Sequence, residues 1–590
     1  ITSSMSHTSK IFEEAPVLVQ NKNGFDLSHL HVGSAKCGQL VPVLTKLLPP
    51  NSDFTLGINM EVNLPPLATT FYGRVDAIVE GFVIPCSILY GGWKQFISNQ
   101  QSTMFPNSQS GLASDNANVS SDGEQIIESR DPMSWGGRVG GYALPVLSFY
   151  WDGSSSTEEF MQALDSNDNL LDYFGVHPDT FGQSDDYGMI VNMLPFLAYH
   201  LIHDVYYRNK QITRTYFAVN PNVTNSAYNA KNVSLVWHSF YTRSTVAGTS
   251  NGTFGATVGT ESKFPDGTWI WHTRQRNYAR DYFTAAVPSP QQGTAARLVF
   301  NTVDNADSGF SIGALRAVNS LAKFLETNNL SGDYSDMMRN RWGARPIDAD
   351  FDEPYYLGRV IVPVYQKSVY QQDNSAAVGA VNPFAQQGAT ATKAANGSFV
   401  GEGSITNKFH NSTWAYVMCL FSLVPHAMYG WGANRELFMK FIGDFPAPEF
   451  QSIGYEEIYS SELYINPTLS GSVMDPSVDT TFGYIPRYSR FKYMDDQVSG
   501  ELRPGRTLDS FVLQRDFSSQ PQLSTSFLEI GQSDLDSVLA VSTQSMNLTC
   551  WFEIYFEFKV AMPLADFCIP TLGDLRDVHT IKAPVGGSRL

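Results

Sequence analysis

Cysteine is almost missing from this sequence. Five thiols, Cys37, Cys86, Cys419, Cys550 and Cys568, are scattered singly among 590 residues. No CxxC pair and no dense framework exist, which excludes a disulfide scaffold and points to reduced thiols in a cytoplasm. Charge is also sparse, at 16%, while aromatics reach 13%; a disordered chain has the reverse balance. Positive charge is the scarcer sign: 39 Lys and Arg face 57 Asp and Glu, a formal net charge of −18. Direct wrapping of nucleic acid needs a basic surface, so any enclosed DNA calls for a cationic partner. Long apolar runs are lacking too. The most apolar stretch, Trp414 to Trp431, is interrupted by Pro425 and His426 and falls short of the roughly 20 residues that span a bilayer, and Ile1 to Lys10 has no apolar signal core. A soluble protein is expected.

Glycine and proline, 46 and 31 in number, are plentiful and interrupt the apolar segments throughout. This favours many short strands with long connections. Apolar and polar residues roughly alternate over Gly38 to Leu48 and Phe54 to Leu64, with Pro49-Pro50-Asn51 as the turn between two strands. Phe71 to Pro85 reads as a third strand, and Leu89, Trp93 and Phe96 at helical spacing suggest a short helix after it. Residues 1–30 read as an extended arm. Ser108 to Asp122 is an exposed loop; Thr157 heads a helix start; Leu194 to Arg208 repeats apolar residues at helical spacing, Pro195 being tolerable in the first turn. Residues 211–266, with Val233 to Tyr241 as their best strand, have the profile of a surface excursion. Ile312, Leu315, Val318, Leu321 and Leu325 form a helical stripe. Asn374 to Ser404 reads as a long flexible loop. Leu548 to Val560 alternates strictly and is the strongest strand. Strands from start to end without an interdomain linker fit one β-sandwich with large insertions, spanning residues 31–575, followed by a tail, 576–590.

No constellation carries enzyme chemistry. Asp348, Asp350, Asp352 and Glu353 lack the glycine of a calcium loop. His200 and His203 lie one turn apart without a third ligand or an HExxH pattern, which favours a packed helix face. Gly136-Gly137-Arg138-Val139-Gly140-Gly141 matches neither nucleotide-binding glycine pattern. No nucleophile elbow or paired carboxylates stand out. Neither a metal nor a cofactor is expected. The best nucleic-acid candidate interleaves Arg487, Arg490 and Lys492 with Tyr488, Phe491 and Tyr493, followed by Arg503 and Arg506; cations hold phosphates while rings stack on unpaired bases. A strand with rings inward and cations outward fits the same pattern. Arg339, Arg341 and Arg345 around Trp342 form a second basic stretch, equally suited to a helix end or a neighbouring subunit.

Phe25-Asp26-Leu27-Ser28-His29-Leu30-His31 followed by Gly38-Gln39-Leu40-Val41-Pro42-Val43 resembles the start of gokushovirus major capsid proteins, the microvirus type. The likeness continues through Phe82-Val83-Ile84-Pro85 with Trp93, through Asp281-Tyr282-Phe283-Thr284 with Pro288, Pro290, Gln291 and Gly293, and through Ile312 with Leu315-Arg316. It recurs at Pro354-Tyr355-Tyr356-Leu357-Gly358, at Phe482-Gly483-Tyr484, and at Asp516-Phe517-Ser518-Ser519 with Pro521 and Leu523. The blocks are collinear. The resemblance implies a mainly β fold, an eight-stranded viral jelly roll with large loop and helical insertions. It also implies a T=1 icosahedral shell around a circular single-stranded DNA genome, a small basic protein accompanying that DNA, assembly in the host bacterial cytoplasm, and host contact through outer loops with an unnamed receptor. Phe25, Asp26, His29 and His31 then become candidate subunit contacts. Only Thr294 to Ser311 fills the place of the family's usual protruding insertion, so 211–266 or 374–404 is expected to supply the outward feature. A carbohydrate-active or glycan-binding β-protein accounts for the aromatics and negative charge, but not for the ordered blocks.

Overall fold

The computed structural model describes, apart from short gaps and isolated positions, residues 22–89, 146–149, 168–177, 189–213, 271–289, 353–369, 388–398, 408–465 and 480–564. Fifteen strands dominate them: β1 Asn23–Asp26, β2 His29–Ala35, β3 Val41–Leu48, β4 Ser52–Asn63, β5 Val75–Pro85, β6 Val146–Phe149, β7 Met189–Asn192, β8 Tyr355–Pro363, β9 Gln366–Val369, β10 Gly388–Ser398, β11 Phe409–Asn411, β12 Ala415–Pro425, β13 Tyr455–Tyr459, β14 Thr481–Pro486 and β15 Cys550–Met562. One sheet runs β1-β15-β4-β10-β9, with β2 also on β15 and β11 also on β4; the other runs β3-β12-β5-β8. The strands pair antiparallel throughout both sheets.

The two large sheets face each other across one core. Alternation along β15 buries Phe552, Ile554, Phe556, Phe558 and Val560 and exposes Trp551, Glu553, Tyr555, Glu557 and Lys559, as the period of two requires. Phe552 meets Phe421 of β12 with ring centroids 4.3 Å apart, and each such buried side chain stabilises the fold by about 1.5–3 kcal/mol. All eleven residues of β5 and all eleven of β12 are buried. Their outer faces are covered by a helix, Leu194–Ile202, which packs with Phe82, Ile84, Met418 and Leu420 in a second core. A strand covered on both faces has no reason to alternate, which explains the unbroken apolar run of β12.

Pro195 sits in the first helical turn, where its missing N–H costs nothing, and a π turn, His203–Tyr207, follows. The Tyr199 hydroxyl donates to the Leu40 carbonyl at 2.8 Å and accepts from Arg274 N at 2.7 Å, tying helix, sheet and the 271–276 segment together. A third apolar cluster joins Tyr282, Phe283 and Ala286 to β13, β14 and Phe527.

Two readings of the sequence are corrected. Residues 22–30 are not a free arm: β1 and β2 add to β15, Phe25 opposite Val560 and His31 opposite Ile554. Exposure on the outer face leaves those strands without a clean apolar alternation. Part of 374–404 is not a flexible loop either, since Gly388–Ser398 pairs with β4 from Thr392↔Asn63 to Ser398↔Gly57. Small Ala, Thr and Gly residues conceal that strand, and one of its two partners, β4, is supplied from over 300 residues away. After β5 the described residues show a helical turn, Cys86–Leu89, and Trp93 is helical as well, while Phe96 lies outside the described residues. Residues 1–21, the loop 108–122, Thr157, the excursion beyond Thr213, the stripe from Ile312 to Leu325 except Ser320, and the tail 576–590 lie outside the described residues.

Candidate interaction surfaces

The N-terminal residues singled out above are held by their own chain. Phe25 packs against the main core. Asp26 accepts from the Ser28 hydroxyl at 2.5 Å and from Ser28 N at 3.0 Å, and these bonds hold its carboxyl below the usual range. His29 stacks on Phe556 at 5.3 Å and His31 on Phe552 at 5.9 Å; burial, with help from His29, lowers the His31 imidazole pKa. Outward this edge offers large apolar groups around one acid: exposed Leu30 lies opposite exposed Tyr555 and exposed Val32 opposite exposed Glu553, with Trp551 two repeats along from Tyr555.

The basic stretch splits into two sets. Arg487 is buried, its guanidinium 5.9 Å from the Tyr488 ring centre. Tyr488 is buried with φ +63°, and its hydroxyl accepts from Ala447 N at 3.3 Å. Arg490 donates to the Asp444 carbonyl at 2.6 Å and covers Phe491 at 4.8 Å. These three brace their own loop. Lys492, Tyr493, Arg503 and Arg506 face solvent. The pattern is also not one strand, because β14 ends at Pro486 and a 3-10 turn, Ser489–Phe491, follows. The same lobe exposes Leu437 at 79%, Ile442 at 80%, Phe445 at 57% and Met494 at 77%, large apolar groups of the kind that mark protein contacts.

The His200–His203 pair is a packed helix face: His200 Nδ1 meets Arg274 Nε at 3.3 Å and His203 Nε2 meets the Gln275 carbonyl at 3.0 Å. Among the described residues no group of three or more His, Cys, Asp or Glu is placed to hold a metal ion. Nor is any helix there long and apolar enough to cross a membrane. The four described cysteines, Cys37, Cys86, Cys419 and Cys550, are free and buried. Of the acidic run only Glu353 is described, and the 136–141 glycines and Arg339, Arg341 and Arg345 lie outside the described residues.

The sequence reading missed Arg515. Its guanidinium lies 4.2 Å from the Phe527 ring centre, 4.5 Å from Tyr278 and 5.4 Å from Phe517, while Nη2 donates to the Phe527 carbonyl at 2.7 Å. This clamp forms one wall of a cavity of about 480 Å³ that the Asp516–Ser519 block also lines. Of its three partner residues, Phe517 and Phe527 are near in sequence while Tyr278 comes from a distant segment that no local pattern connects. Trp431 adds a bond from Nε1 to Asp516 Oδ1 at 2.7 Å.

The family profile of the capsid protein, or F protein, matches residues 299–572. Over that stretch, a little under half of its length, the chain is similar to this phage capsid-protein family. It is similar to capsid protein VP1 of Chlamydia phage 1, 21% identical over 95% of this chain and 97% of that one. It is also similar to capsid protein VP1 of Bdellovibrio phage phiMH2K, 18% identical over 96% and 98%. The first alignment runs over 665 positions, more than this chain has residues, so the relative carries segments without a counterpart here. The profile and both relatives are thus capsid proteins of phages.

Proposed function

We propose that this protein is a phage capsid protein, the major subunit of a T=1 icosahedral shell enclosing a circular single-stranded DNA genome. The observation that carries the proposal is strand order. Taking β2, β3, β4, β5, β8, β10, β12 and β15 as eight successive strands, one sheet reads first-eighth-third-sixth and the other second-seventh-fourth-fifth. That double Greek-key order supports an eight-stranded viral jelly roll, the body from which many icosahedral shells are built. The remaining strands and the helices belong to insertions in a single domain over 31–575.

Closure of a shell from identical copies needs heterologous contacts, one surface patch meeting a different one. The exposed belt of Leu30, Val32, Trp551 and Tyr555, rimmed by Asp26 and His29, and the lobe bearing Leu437, Ile442, Phe445 and Met494 are the contact surfaces in this reading. The deficit of positive charge assigns neutralisation of the genome to a small basic virion protein, and outer loops, within 211–266 or beside β10, meet a host receptor. Assembly proceeds in the bacterial cytoplasm, consistent with four free thiols. Negative-stain microscopy with an absorbance spectrum of the native assembly tests this. Uniform small icosahedra with nucleic-acid absorbance are expected; a monodisperse monomer without DNA refutes it.

A further inference from the structure

A second cavity, of about 620 Å³, lies over β5 and β8 beneath the π turn. Five arginines line it, Arg74, Arg208, Arg276, Arg280 and Arg359, against two carboxylates, Asp76 and Glu80. In a chain of net charge −18 this concentration of guanidinium groups is unusual. Both carboxylates are already engaged. Asp76 accepts from Arg74 Nε at 2.9 Å and meets His426 Nε2 at 2.9 Å. Glu80 takes Arg276 Nη1 at 2.7 Å and the Tyr207 hydroxyl. Arg208 is spent on Asp204 at 2.7 Å. Arg280 and Arg359 are exposed and, among the described residues, have no ion-pair partner.

The rim holds two exposed rings, Tyr206 and Tyr356, with centroids 5.9 Å apart. The Tyr206 hydroxyl donates to the Pro354 carbonyl at 2.5 Å, and both rings lean on buried Phe82 at 5.0 and 5.5 Å. They are therefore fixed before any ligand arrives. Unengaged guanidinium groups hold phosphates, and fixed exposed rings stack on unpaired bases. A duplex presents no free base face, and an acidic peptide has no use for the rings.

We infer that this cavity binds single-stranded nucleic acid, with backbone phosphates on Arg280 and Arg359 and a base against Tyr206 and Tyr356. The inference rests on the shell reading above and names the surface that meets the strand. It assigns that role to residues from three separated segments, in place of the 487–506 stretch favoured by the sequence.

The test is fluorescence anisotropy of a labelled 15-nucleotide oligothymidylate with the full chain, titrated over several salt concentrations. Each variant is also scored for particles by microscopy and for thermal unfolding. R280Q/R359Q is expected to bind at least tenfold more weakly with an unchanged melt, and its salt slope to fall by about 1.4, two contacts at about 0.7 each. R280K/R359K is expected to restore the slope. Y206L/Y356L is expected to lose about fivefold to a hundredfold, the range of one stacked base, while binding of a duplex of the same length stays unchanged. R503Q/R506Q is expected to bind like the parent protein. Pocket variants that bind normally overturn the inference, as does a loss confined to R503Q/R506Q. Pocket variants that keep the oligonucleotide but make no particles also overturn it, by giving the cavity to a neighbouring copy. If the parent protein binds no oligonucleotide but forms DNA-filled particles, the cavity assignment alone falls; if it forms none, the shell reading falls with it.

Discussion

Glu80 and Arg276 form an ion pair whose side chains are only 9% and 14% exposed. Arg276 Nη1 also donates to the Ser422 hydroxyl at 2.9 Å and its guanidinium covers the Tyr207 ring at 5.2 Å, while Glu80 accepts the Tyr207 hydroxyl. Replacing Glu80 by Gln removes the counter-charge and leaves Arg276 with no carboxylate where water scarcely reaches. Breaking a buried pair from one side costs about 3–5 kcal/mol, because the surviving charge keeps its desolvation penalty. Arg276→Met is expected to cost as much through the stranded carboxylate. The double variant, Glu80→Gln with Arg276→Met, leaves no buried charge and is expected to recover most of the loss, giving a coupling of about 2 kcal/mol or more. Urea unfolding of the full-length chain, followed by tryptophan fluorescence and run on all four proteins, measures the cycle. If the double variant loses the sum of the two single losses, the pair is not coupled and the account of this network is wrong.

Gly38 adopts φ +69°, and a Cβ there would sit 2.5 Å from the Ile530 Cβ. Gly38→Ala is expected to cost more than the roughly 1–2 kcal/mol of left-handed backbone alone, read as a lowered unfolding midpoint. Phe552→Ala empties the centre of the sandwich opposite Phe421 and is expected to cost about 3–5 kcal/mol, with particle yield falling alongside the midpoint. Asp495 is pushed up to about 7 by burial, with Asp281, Glu462 and Asp496 adding to it. Its folded state holds a proton that the unfolded chain releases near the ordinary carboxylate value, so this contribution is full below that value and is lost as pH rises through about 7. Unfolding midpoints are expected to decline between pH 5 and pH 8, and Asp495→Asn to flatten that decline; an equally steep decline in the variant counts against the assignment.

The main sandwich was legible where one face is wet. β15 alternates from Trp551 to Lys559, β3 and β4 flank Pro49-Pro50-Asn51, and the helix beginning at Leu194 carries its Pro where a helix accepts one. Strands buried twice over, such as β12, read only as apolar runs, and β10 hid behind small residues. The surfaces were less legible, because they are made by convergence. Arg487 and Arg490 look available in sequence, yet one is buried and the other holds the Asp444 carbonyl. Arg280 and Arg359 look incidental, and a cavity brings them together.

The position of β15 has a consequence for biosynthesis. The last strand of the sandwich lies inside its sheet, with β2 and β1 along one side and β4 along the other. The N-terminal strands therefore emerge from the ribosome more than five hundred residues ahead of the partner that joins them. Until residues 550–562 are made, the edge of β4 and the apolar faces of β1 and β2 stay open, a state prone to wrong pairing. Completion of the sandwich thus waits for β15, and a truncated chain lacking β15 lacks the strand that unites both ends of the sheet. Translation itself becomes a proofreading step: an unfinished subunit cannot present the outer belt of Trp551 and Tyr555 to a growing shell.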